Sequence, residues 1–135
     1  MQNLKPGAIA LLAGGGLLFI SSLVNWGPDT SGISTDFFGL QGLFCLVIGG
    51  GVVTIAAIRA FAPQVSLPSS VLGLSLMQAI VGLGLAAFLI TFGLQFVDGS
   101  EFGVTLGWIG SAAIVAGGIM ESTTAQTSSA PPTPF

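Results

Sequence analysis

Four apolar stretches, each long enough to cross a bilayer and none with a charge at its centre, constrain this chain more than any other feature. They fall at residues 6–25, 37–61, 67–96 and 99–120. About 20 apolar residues in a helix cross the ~30 Å of hydrocarbon in a bilayer. The third stretch is longer and is expected to tilt or project. The apolar runs are continuous rather than alternating, which argues against a transmembrane β-barrel. Charge is scarce throughout, with two basic and five acidic residues among 135 and 52% hydrophobic residues. A water-soluble domain of this size could not keep its surface hydrated with so few charges. The expected fold is therefore all-α: a four-transmembrane-helix bundle built from two helical hairpins over residues 1–121. A polar tail rich in Ser, Thr and Pro, expected to be disordered, follows at 122–135.

Local signals place the helix starts. Pro6 suits a first turn, where its missing N–H is no loss. Asp36 is a candidate cap for the second helix. Ser66, with Pro68 in the first turn, is a candidate for the third. Asp98 and Glu101 have the spacing of a capping box before the fourth. Lys5 ahead of an apolar run also resembles a signal peptide. The run is long for one, however, and no A-x-A-like site follows, so the first stretch is expected to remain as a span.

The only two basic residues, Lys5 and Arg59, fall on one side of a four-span topology. The positive-inside rule makes that side cytoplasmic, with both termini inside. Trp26 and Trp108 then lie toward the outer interface and are expected to act as interface anchors.

Composition excludes more chemistry than it suggests. The chain has no histidine, no tyrosine and one cysteine, Cys45. The commonest general base and metal ligand are missing, and no intramolecular disulfide can form. No catalytic set, metal set or cofactor is expected. The net charge of −3 offers no basic cluster for nucleic acid or anionic lipid. Asp29, Asp36, Asp98 and Glu101 share the outer side, where capping and solubility account for them. The run from Gly82 to Ala87 matches a dinucleotide fingerprint by spacing, but it sits inside an apolar helix, not after a strand.

The positive signal is packing. There are 21 glycines, and small residues let membrane helices approach closely. Gly103, Gly107 and Ser111 form two successive small-xxx-small steps on the fourth helix. They suit either packing within the bundle or a groove for a partner helix. Gln78 is expected to face another helix, since an amide finds no hydrogen-bond partner in lipid. With Thr54 it could instead line a pore.

The segment LLFISSLVNWGPDTSGISTDFFGLQGLFCLVIGGG resembles a pattern in small four-helix bacterial inner-membrane proteins of unassigned function. In these a glycine-rich helix ends at an aromatic, a polar loop follows, and a glycine-opened helix returns. The resemblance implies a bacterial inner membrane and no catalytic residues. The expected function is that of a non-catalytic accessory or scaffold subunit, in contact with the lipid bilayer and with other membrane protein subunits. A homo-oligomeric pore or small-molecule carrier is the alternative.

Overall fold

Pro6 opens the first helix, α1 (Pro6–Leu23), and Val24 ends it by turning extended at φ −97° and ψ 173°. A short strand β1 (Asn25–Gly27) follows and pairs antiparallel with β2 (Thr30–Ser31). Helix α2 spans Gly39–Phe61 and stops just before Pro63, which cannot continue a helix. A second small hairpin joins β3 (Ser70–Val71) to β4 (Leu74–Ser75). Its turn residues Leu72 (φ 52°) and Gly73 (φ 81°) are both left-handed, as a type I′ turn requires. Helices α3 (Leu76–Leu94) and α4 (Phe102–Ser129) complete the chain. The computed structural model describes residues 4–27, 30–31 and 39–129.

The fold is an all-α four-helix bundle, and all four helices are long and apolar enough to cross a membrane. The chain is a multi-pass membrane protein. Helices α1 and α4 form its centre, with 39% and 44% of their spans buried, against 28% for α2 and for α3. Helix α2 packs on α1 and α3 packs on α4, so each hairpin stays together. The α1–α4 seam joins the two hairpins. Helices α2 and α3 meet only sparsely.

Glycine makes the central seam. The buried line on α1 is Gly7, Leu11, Gly14, Leu18 and Ser21. On α4 it is Gly103, Gly107, Gly110, Ile114, Gly117 and Glu121. Both lines step by four and three residues, the rhythm of left-handed helix packing. The helices run antiparallel, with Gly7 against Glu121 and Gly103 against Asn25. A Cβ on Gly14 would stand 2.6 Å from the Gly110 carbonyl oxygen, and one on Gly110 would stand 2.7 Å from the Leu18 nitrogen. Backbone therefore meets backbone here, which only glycine allows. The α1–α2 contact repeats the device once: a Cβ on Gly49 would lie 2.6 Å from the Phe19 nitrogen.

Three expected boundaries move. Helix α3 begins at Leu76, not near residue 67, and its cap is Ser75, not Ser66. Positive φ at Leu72 and Gly73 cannot be held in a helix, so the apolar run that precedes Ser75 folds as a hairpin instead. Helix α4 begins at Phe102, which leaves Asp98 outside it. It then continues through residues 122–129, where a disordered tail was expected. Extending an existing helix needs no new nucleus, and no proline intervenes before Pro131. Asp29, Asp36 and residues 130–135 lie outside the described residues.

Candidate functional site

The small residues singled out on α4 are all internal. A Cβ on Gly103 would meet the Asn25 carbonyl oxygen at 2.5 Å and Trp26 Cδ1 at 2.6 Å. One on Gly107 would meet Thr91 Cγ2 at 2.8 Å and Ser21 Oγ at 3.3 Å. Ser111 is fully buried and donates to the Gly107 carbonyl at 2.9 Å. Gly107 therefore packs against α1 and α3 together, and its face is already occupied within the chain. The buried hydroxyls around it satisfy themselves locally. Thr91 donates to Ala87 O at 2.8 Å and Ser21 to Leu18 O at 2.7 Å.

Gln78 does not sit between helices. It is exposed, and its side-chain oxygen accepts from the Ser75 N–H at 2.9 Å while Ser75 Oγ accepts from the Gln78 N–H at 3.2 Å. This reciprocal pair is a capping box. Because α3 begins at Leu76, Gln78 lies in its first turn at the end of the bundle rather than inside it. Thr54 is exposed on α2 and its hydroxyl donates to Gly50 O at 2.8 Å.

The two tryptophans differ. Trp26 is fully buried, which corrects its reading as an interface anchor. Its indole N–H donates to the Ser21 carbonyl at 2.6 Å, and its own carbonyl accepts from the Glu101 N–H at 3.0 Å. The ring plugs the end of the central seam because glycine at 103 leaves room for it. Trp108 is half-buried and packs edge-on against Phe92 at 5.9 Å and Phe88 at 6.5 Å. Its indole nitrogen is buried without a hydrogen-bond partner, as is the side-chain oxygen of Gln41.

One polar cluster escapes a reading of the sequence alone. Glu121 is buried at the last step of the α4 seam, and its Oε2 lies 3.5 Å from Nη2 of Arg59. Arg59 Nη1 also donates to the Met77 sulfur at 3.2 Å. One guanidinium thus ties α2 to both α3 and α4 at the end of the bundle where α1 begins. Glu121 continues the four-three rhythm of Gly103, Gly107, Gly110, Ile114 and Gly117, a signal present in the sequence.

A further feature is a groove between α2 and α3, of about 550 Å³, lined by Leu40, Gln41, Leu43, Phe44, Val47 and Ile90. It exists because α2 and α3 hold to α1 and α4 rather than to each other. Cys45 is buried on α2 as a free thiol. Among the described residues no group of three His, Cys, Asp or Glu side chains could hold a metal. Comparison with protein-family models, with curated proteins and with solved structures finds no match to this chain.

Proposed function

We propose that the protein is a non-catalytic membrane subunit that packs, as an accessory or scaffold element, on a larger membrane complex. The observation that carries this reading is the open α2–α3 face. Leu40 and Val47 on α2 are 79% and 65% exposed, and Leu89 on α3 is 62% exposed, beside an apolar groove. The same two helices carry Gly51, Gly82 and Gly93, at which an added Cβ would meet nothing within 4 Å. Helical glycine costs about 1 kcal/mol relative to alanine. Against lipid it gains nothing in return, whereas a partner helix gains close approach. The glycines inside the bundle follow that use.

The proposed setting is a bacterial inner membrane with both termini cytoplasmic. Arg59 pairs with Glu121 at the bundle end that also carries Lys5. Both basic residues of the chain therefore share one side, which the positive-inside rule assigns to the cytoplasm.

A photo-crosslinking side chain in place of Val47, and separately of Leu89, tests the reading in whole membranes. Cross-linking to one foreign membrane protein in stoichiometric yield is the expected result. Cross-links only to lipid, or only to further copies of the chain arranged around a wet axis, would overturn it. The latter would favour the pore or carrier.

A further inference from the structure

A second cavity, also of about 550 Å³, lies at the Lys5 end between the first turn of α1 and the end of the α4 span. Pro6 and Gly7 form one wall, Ile119 and Met120 the other, and Lys5 and Glu121 supply its charges. Two spans end here together, since Pro6 opens one and Thr123 closes the other. The cavity therefore lies at the ends of two candidate spans, where a bilayer would place its headgroups.

Glu121 is the unusual member. Its side chain is only 10% exposed, yet among the described residues its one polar contact is the Arg59 guanidinium at 3.5 Å from Oε2. A carboxylate offers about four acceptor positions on two oxygens. The other oxygen, Oε1, is turned to the α1 side, 2.7 Å from where a Cβ on Gly7 would stand. No side chain caps the adjoining N-terminus of α1. Lys5 is exposed at the cavity's rim. A largely buried carboxylate whose Oε1 has no hydrogen-bond partner among the described residues, an ammonium at the rim and apolar walls suit one class of ligand. It carries a primary amine, a nearby phosphate and an apolar tail.

We infer that this cavity binds the headgroup of an aminophospholipid, with the ligand's primary ammonium donating to Glu121 Oε1 and its phosphate held by Lys5. A choline headgroup has the same charges but no N–H to donate, so the site distinguishes the two. This assignment stands apart from the partner proposed for the α2–α3 face.

Native mass spectrometry of the full chain, released from bilayers with equal phosphatidylethanolamine and phosphatidylcholine, tests it. The expected result is about tenfold preferential retention of phosphatidylethanolamine, the size of one charge-assisted hydrogen bond. Glu121→Gln should bring the ratio close to one. Lys5→Gln, at an exposed position, should weaken retention of both lipids alike and leave their ratio unchanged. If Glu121→Gln fails to fold, competition on the unaltered protein decides: O-phosphoethanolamine should displace the bound lipid and phosphocholine should not. Equal retention of the two lipids, or a preference that survives Glu121→Gln, would refute the site. Binding of O-phosphoethanolamine as tight as that of the lipid would assign the cavity to a soluble ligand and overturn the lipid source.

Discussion

The indole N–H of Trp26 reaches back to the carbonyl of Ser21 across 2.6 Å, closing the end of α1 with a fully buried ring. Trp26→Phe removes this bond and replaces the two-ring indole with a smaller phenyl, leaving a cavity at a fully buried position. The expected loss exceeds the about 1 kcal/mol of a hydrogen bond, because the cavity adds its own cost. In a Trp108→Phe background, Trp26 should emit at short wavelength and resist iodide quenching. Water-like emission would contradict its burial.

Glycine positions should divide sharply by what faces them. Gly110→Ala drives a methyl to within 2.7 Å of the Leu18 nitrogen, and crowding of this kind costs about 1–3 kcal/mol. Gly16→Ala meets nothing within 4 Å and should be neutral or stabilising by up to about 1 kcal/mol. Thermal unfolding in detergent compares them, and equal midpoints would break the seam argument.

Gln78→Ala should act locally. Losing half of a capping box costs about 1 kcal/mol or less. Faster hydrogen exchange in the first turn of α3, with little change in global stability, is the expected pattern. Loss of contact between helices would restore the interhelical role expected from the sequence.

Arg59 and Glu121 should couple. Arg59 is 37% exposed and Glu121 10%, so the pair lies between a screened surface bridge and a sealed one. A double-mutant cycle with Arg59→Gln and Glu121→Gln should give roughly 1 kcal/mol, above the usual surface value and below the 3–5 of a broken buried pair. Zero coupling would show that packing alone holds that end together.

The proposed topology rests on Lys5 and Arg59 lying at one end. In a Cys45→Ala background, cysteines at Ser31 and Ser100 should react with an impermeant reagent from outside intact cells. Cysteines at Gln64 and Ser128 should not. Outside labelling at Gln64 would invert the orientation.

Hydropathy made the four spans legible, because length and continuity of apolar residues are a one-dimensional property. The seam between them was only half legible. Gly103, Gly107 and Ser111 stand out as even steps of four, but a packed helix pair follows steps of four and three. The true line therefore turns aside to Gly110, Ile114, Gly117 and Glu121. Read as even steps, the pattern hides Glu121 as an ordinary helix-end acid. Leu67 to Leu74 counted as span because hydropathy ignores conformation. The Ser75-x-x-Gln78 spacing of a capping box marks the real start of α3. That α1 would pair with α4 lay beyond sequence reasoning, since nothing local says which glycine line meets which.

The pairing of α1 with α4 also sets a timetable. Of the four spans, α1 leaves the ribosome first and α4 last, so the central seam cannot close until the other three are already inserted. Until then the glycine line of α1 waits in the bilayer with its backbone open to any passing helix. A copy stalled after α3 would hold one finished hairpin and an unclaimed seam, ready to take the α4 of a neighbour. The last helix thus completes the central seam. Damage to its glycines should be read out as wrongly partnered chains during synthesis before it is read out as instability in the finished protein.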